Sequence, residues 1–338
     1  MTTAAIKRSA PYALLGVLLL ALPVIIPSGY VVRVINTTML YSIVAIGVNL
    51  IGGYGGQLAM GHACYVGIGA YTQAILTVHH GWPFLPSFFT ALLFTTLYGL
   101  ITGIICLGRI KGDYLMIVTM GVSEITRIVF QNWVSLTGGP MGIPQVPSIR
   151  VFGFVFKNNT RYYYLFLGFL ILTIIVVRRI VKSRFGRAVI AIRDDEVAAR
   201  AMGINTVRHK IITFTISTGF AGLAGIFLAH YTRFVGPMQY NLDEGLLYFQ
   251  MIIIGGLGSV SGSILGAAIL VLIPELFRSV YEYRLIVYGS AMILMMIVKP
   301  EGLLGNAGPN HILVRFSRNL KNALSLGGGR AGSGGTNR

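Results

Sequence analysis

Apolar windows about as long as a bilayer core is thick recur along this chain, and that feature limits it to a membrane. A hydrocarbon layer about 30 Å thick is crossed by about 20 helical residues. Ten windows approach that length: Pro11 to Pro27, Val31 to Ile51, Leu58 to Val78, Phe84 to Leu107, Tyr114 to Phe130, Tyr162 to Val181, Ile211 to His230, Gly245 to Leu257, Val260 to Phe277 and Leu285 to Val298. Backbone amides in lipid must be satisfied within their own segment. The pattern therefore predicts an all-α, polytopic transmembrane helical bundle of about ten spans. Only 11% of the 338 residues are charged, against about 25% in soluble domains. That composition argues against a water-soluble enzyme, a disordered chain and a nucleic-acid partner, and makes membrane lipid the surrounding medium.

The net charge of +17 sorts by side. With the N-terminus in the cytoplasm, alternation of spans collects 19 of the 27 basic residues inside. They are Lys7, Arg8, Arg109, Lys111, those from Arg178 to Lys210, and those from Lys299 onward. The positive-inside rule thus predicts that both termini are cytoplasmic. The first window follows Lys7 and Arg8 but lacks a small-residue cleavage site, so it is read as an anchor helix. Residues 1–300 then form a membrane domain with a cytoplasmic loop at 182–208, and residues 301–338 form a cytoplasmic tail. The end of that tail is rich in Gly and Ser, which predicts disorder.

The 43 glycines also carry information. Helices in lipid associate by close backbone approach, which small residues permit. The short eighth window ends in Ile254-Gly255-Gly256-Leu257-Gly258, suggesting a broken or re-entrant helix there. That string resembles Ile51-Gly52-Gly53-Tyr54-Gly55. An internal repeat of the transporter kind and ordinary tight packing both account for the likeness.

Catalytic motifs are absent. The chain has no His-Glu-x-x-His, no Gly-x-Ser-x-Gly and no cluster of His, Asp and Glu at metal-ligand spacing. None of its seven lysines follows a glycine, so it contains no Walker A loop. Cys64 and Cys106 lie in apolar stretches and build neither a disulfide framework nor a metal site. His62 and His230 fall within or at the end of spans, where packing and proton relay are the two available roles. Glu124 with Arg127, and Glu275 with Arg278, share a helical face by i, i+3 spacing. Each pair either locks neighbouring helices or serves a pathway. The string Leu136 to Ile143 breaks the apolar pattern, and Thr137, Gly138 and Gly139 there offer polar contacts to a solute or form a plain surface turn.

The segment from Ser183 to Ile204 is basic and cytoplasmic. Asp194 is placed to cap a two-turn helix starting at Asp195, and Gly203 to end it. Val197, Ala198, Ala201 and Met202 form its apolar stripe, and a helix so short needs a packing partner. It is either a docking helix or a loop folded back on its own spans.

Five strings, in order, resemble the permease subunits of bacterial branched-chain amino acid ABC importers, of the LivM type. They are Gly61-His62-Ala63 with Gly67-Ile68-Gly69-Ala70-Tyr71; Lys111-Gly112-Asp113-Tyr114-Leu115 through Glu124-Ile125-Thr126-Arg127; Leu136 to Ile143; Gly186-Arg187-Ala188 to Gly203-Ile204; and Pro274-Glu275-Leu276 through Lys299 to Leu304. The resemblance implies a second homologous permease, two ATP-binding subunits carrying ATP and Mg, and an external substrate-binding protein, with no cofactor in this chain. It implies that the short helix couples to an ATPase subunit through Gly186, Arg187, Arg193, Asp194, Glu196, Ala198, Ala199, Met202 and Gly203. Related importers carry Glu-Ala-Ala-x-x-x-Gly there, whereas here Glu196 stands one place early, so Ala198, Ala199 and Gly203 are the matching positions. Candidates for the translocation path are Gly61, His62, Gly69, Tyr71, Glu124, Thr137, Gly138 and Gly139. The implied activity is uptake of leucine, isoleucine and valine by alternating access in the inner membrane. Urea, short amides or other amino acids are alternative cargoes, and a secondary transporter or passive channel is the rival class.

Overall fold

A computed structural model of the chain describes residues 22–23, 28–108, 114–151, 153–276, 284–299 and 302–304. The first predicted window, apart from two residues, lies outside the described residues, as do Lys7, Arg8, Arg109, Lys111, Gly112, Asp113, Arg278, Pro300, Glu301 and the tail from residue 305.

Each of the other nine windows contains a helix. In chain order these are α1 (Gly29–Asn49), α2 (His62–Ala74), α3 (Phe84–Leu107), α4 (Tyr114–Asn132), α6 (Asn159–Lys182), α9 (Thr206–Thr232), α10 (Leu242–Gly255), α11 (Val260–Leu276) and α12 (Arg284–Val298). Three short helices lie between them: α5 (Val134–Thr137), α7 (Arg184–Asp194) and α8 (Glu196–Ala201). Four segments among the described residues are long and apolar enough to cross a membrane: Gly29–Tyr54, Phe84–Leu107, Asn159–Lys182 and Thr206–Thr232. The 14 residues of α10 rise only about 21 Å, less than a bilayer core.

Hydroxyls inside these helices fold back on their own backbone. Thr38, Ser42, Thr95, Thr96 and Thr102 each donate to the carbonyl four residues earlier, at 2.7–2.9 Å. A donor in an apolar surround is satisfied this way at little cost.

Helices α1, α2 and α9 form the centre. Twelve of the 13 residues of α2 are buried. Glycines set the spacing: a Cβ at Gly69 would run into the backbone of Gly222, and one at Gly225 into the carbonyl of Val66. The α10–α11 pair is built likewise, with Gly255 against Gly262 and Gly266 against Met251. Helix α3 lies outside, presenting Phe89, Leu93, Phe94, Leu97 and Ile105 to the surroundings. Such a face suits lipid or another membrane subunit.

The structure departs from a purely helical reading first in the connection after α4. After α4 the chain forms β1 (Ile143–Pro144), which pairs antiparallel with β4 (Phe234–Val235), and a ribbon of β2 (Arg150–Val151) with β3 (Phe154–Val155). This connection carries Pro144 and Pro147, which cannot continue a helix, so its amides pair across strands instead.

A second departure precedes α2. The span predicted from Leu58 begins as helix only at His62. Helix α1 widens into a π-helical turn at Leu50–Tyr54, and the chain then runs non-helically to Gly61. Gly56 has φ +65°, and a Cβ at Gly61 would clash with the carbonyl of Thr119. Those requirements overrule the apolar pattern there.

Candidate functional site

The break between α1 and α2 holds a chain of buried polar groups. His62 Nε2 lies 2.8 Å from Ser217 Oγ on α9, and its Nδ1 lies 3.3 Å from the Ala59 carbonyl. Ser217 donates its single proton to the Gly47 carbonyl at 2.6 Å. With that proton committed, a hydrogen bond between His62 and Ser217 requires the imidazole proton on Nε2, whereas a hydrogen bond to the Ala59 carbonyl requires it on Nδ1. One ring so joins α1, α2 and α9 where helix gives way to extended chain. The Gln57 side-chain oxygen nearby is buried and without a hydrogen-bond partner among the described residues.

Three residues before Gly52, the first glycine of the π turn, Asn49 takes hold of the loop between α10 and α11. Its amide donates to the Ser259 carbonyl at 2.9 Å and to Ser263 Oγ at 2.7 Å, while its oxygen accepts from Gly258 N at 2.9 Å. The two glycine strings that look alike in sequence thus pack together: a Cβ on Gly53 would meet Gly258 N, and one on Gly52 would press on Ile252 at 3.1 Å.

A third cluster lies nine residues further along α2. Tyr71 stacks on Phe130 of α4 with centroids 4.3 Å apart and stands edge-on to Tyr240 at 6.1 Å. Tyr71 and Tyr240 are 2% and 1% exposed, yet neither hydroxyl has a hydrogen-bond partner among the described residues. A buried polar group left unpaired costs roughly 1–3 kcal/mol. Beside this pair, Thr137 ties the loop to α4 by donating to the Phe130 and Trp133 carbonyls. Gly138 and Gly139 take φ of +75° and +59°, as the turn requires. Arg127 grips both oxygens of Glu124 through Nε at 3.0 Å and reaches Gln131 at 3.0 Å, so that pair is closed upon itself on α4.

On the opposite side of the bundle, α7 and α8 form a compact hairpin. Ser183 caps α7 by accepting from Gly186 N at 3.2 Å. Gly186 abuts the Ile180 and Val181 carbonyls, and Arg187 donates to the Lys182 carbonyl at 3.0 Å. Asp194 is not the cap of α8: it ends α7 and takes two bonds from Arg193. Asp195 caps α8 instead, its carboxylate accepting from Val197 N and Ala198 N at 2.8 and 3.0 Å. The acid that caps is the one whose backbone is extended, with φ −156° and ψ 108°. Gly203 has φ +82° and closes the hairpin. Glu196 is bonded to Lys210 at 2.7 Å and Arg200 at 3.1 Å. The Lys210 ammonium holds its carboxyl below the usual carboxylate range.

The whole predicted stripe is exposed: Val197 and Met202 are 79% and 83% exposed, Ala198 and Ala201 are exposed too, and Ala199, outside the stripe, is buried against the chain itself. Isolated exposed apolar side chains are ordinary, but Val197 on a capped, six-residue helix and Met202 at its C-cap together form an exposed apolar knob.

Of the sequence-derived candidates, Gly61 and His62 lie at the helix break, Tyr71 and Thr137 both meet Phe130, and Gly138 and Gly139 form the turn that follows Thr137. Gly69 is engaged in helix packing, and Glu124 in its ion pair. Asn49, Ser217 and Tyr240 escaped the sequence reading, because single polar residues in apolar windows carry no spacing signal.

Comparison with known proteins settles the family. A model described as "Branched-chain amino acid transport system / permease component" matches residues 30–297. The chain belongs to that family. It is 35% identical to the high-affinity branched-chain amino acid transport system permease protein LivM of Salmonella typhimurium, over 90% of this chain and 76% of the relative. The Escherichia coli LivM protein matches to the same extent. The LivH permease protein of E. coli is 28% identical over 78% of this chain and 91% of the relative. No solved structure matches the chain. As a member of this permease family with apolar helices of spanning length, it is an integral membrane protein.

Proposed function

We propose that this chain is one of two permease subunits in an inner-membrane ABC importer, and that it forms half of a translocation path for leucine, isoleucine and valine. A homologous permease supplies the other half, two ATP-binding subunits supply ATP and Mg, and an external binding protein delivers the solute. Likeness to both LivM and LivH supports a paired arrangement. The asymmetry of basic residues supports about ten spans with both termini in the cytoplasm.

The observation that carries this reading is the knob of Val197 and Met202 on a capped helix at the end of the bundle where positive charge collects. Coupling then needs no chemistry in this chain. Nucleotide turnover moves the ATP-binding subunits, α8 follows, and the central helices repack between outward-open and inward-open states. The cargo has an apolar side chain but charged ends, and polar contacts for those ends come from His62, Tyr71, Thr137 and the carbonyls of the helix break. The test is leucine uptake into proteoliposomes holding the complete complex. Uptake that requires ATP and stops on Ala198→Asp supports the proposal; uptake indifferent to nucleotide refutes it and favours a channel or secondary transporter.

A further inference from the structure

A shallow cavity of about 370 Å³ opens along the last turns of α6, lined by Ile175, Arg178, Arg179, Lys182 and Ser183. Its three cations are exposed, and among the described residues no carboxylate lies within salt-bridge distance of them. Ser183 contributes no spare proton, since it donates to the Ile180 carbonyl at 2.6 Å. What remains is a basic hollow for an anion with several oxygens, a geometry that arginine serves well. The same helix is the most open of the four spanning segments, with 28% of its apolar window buried. Ile171, Leu172 and Ile175 stand 47%, 52% and 46% exposed directly above the cations.

We propose that this hollow binds the phosphate headgroup of an anionic phospholipid, whose acyl chains lie along Ile171, Leu172 and Ile175. The cations alone would accept free phosphate; the continuous apolar flank is what selects a lipid. The site rests on the reading that this end of α6 meets the membrane surface, and it goes beyond the transport function. Basic pockets at the cytoplasmic ends of spans suit such headgroups, each cation near the surface contributing about 1 kcal/mol.

Native mass spectrometry of the full-length chain in detergent tests this, with phosphatidylglycerol, phosphatidylcholine and inorganic phosphate as probes. Phosphatidylglycerol is expected to remain bound, with neither of the others retained. Neutralising all three cations (Arg178→Gln, Arg179→Gln, Lys182→Gln) is expected to weaken it about a hundredfold. The charge-preserving set Arg178→Lys, Arg179→Lys and Lys182→Arg keeps most of the binding, and Arg150→Gln, on the strand ribbon, leaves it unchanged. Equal retention of phosphatidylcholine, undiminished binding to the neutralised chain, or displacement by millimolar phosphate would each overturn the proposal. Should the neutralised chain fail to fold, the lipid comparison on the unaltered chain still decides it. Because binding is read without transport, a failure here leaves the importer assignment standing.

Discussion

Arg193 donates from Nη1 to the backbone carbonyl of Gly53 at 3.0 Å, fastening the α7–α8 hairpin to the π-helical end of α1. The Arg193 stem also fills the space beside Gly56, where any Cβ would strike it. Gly53 in turn packs against the α10–α11 loop that Asn49 holds. One guanidinium thus links α7, next to the exposed knob, to the point where the central helix breaks. Bulges of this kind mark places where a helix can shift.

Removing that link should uncouple rather than unfold. A charge-assisted hydrogen bond contributes about 1.5–3 kcal/mol, so Arg193→Gln is expected to lower ATP-driven uptake roughly tenfold while ATP hydrolysis by the complex persists. Parallel assays of uptake and phosphate release check this. Equal loss of both would mean that the residue serves assembly instead.

Packing at the α2–α9 contact tolerates no side chain. Gly225→Leu places carbon atoms where the Val66 carbonyl lies, and Gly69→Leu does the same at Gly222. Overpacking of this kind costs about 1–3 kcal/mol or more. Both variants should melt at lower temperature in detergent, whereas Gly168→Leu, where nothing lies within 4 Å, should not.

The two orphaned hydroxyls separate stability from transport. Tyr71→Phe and Tyr240→Phe remove buried groups that have no hydrogen-bond partner among the described residues, so melting temperature should hold or rise. If these hydroxyls meet the solute's charged ends, KM for uptake should rise in the same variants. An unchanged KM would remove both residues from the path.

Acid should loosen the α7–α8 hairpin. The Glu196 carboxyl is held below its ordinary value of 4.5, chiefly by the hydrogen bond from Lys210. A depressed folded value means that the stabilisation is fully present above 4.5 and is lost as pH falls through the lowered value. Amide exchange in α8, corrected for intrinsic pH dependence, should be flat from pH 7 to about 5 and quicken below. In Glu196→Gln that step should shrink, leaving the part due to the Asp195 cap.

Much of the bundle was legible from apolar periodicity. The Phe84 to Leu107 window matches α3 end for end, and Gly203 closes α8 as its position implied. Periodicity failed where backbone contacts decide. Residues 58–61 read as the start of a span, but Gly55, Gly56 and Gly61 serve close approaches that keep the chain out of regular helix. Asp194 and Asp195 are equally good caps by type, and only backbone conformation distinguishes them. Helix α7 was discernible in hindsight, since Gly186, Val189 and Ile192 recur every third residue and are its buried positions. The Tyr71, Phe130 and Tyr240 cluster joins three distant stretches of chain, a relation that no local pattern contains.

Cysteine cross-linking of the complete complex tests the coupling account most directly. Cys64 and Cys106 are buried, so cysteines introduced by Val197→Cys or Met202→Cys can be addressed selectively. The account predicts that both positions cross-link to an ATP-binding subunit and are shielded from a soluble maleimide, while Ala199→Cys, on the inward face, does not cross-link. Full maleimide labelling of both positions in the intact, ATP-driven complex, with no cross-link formed, would contradict it.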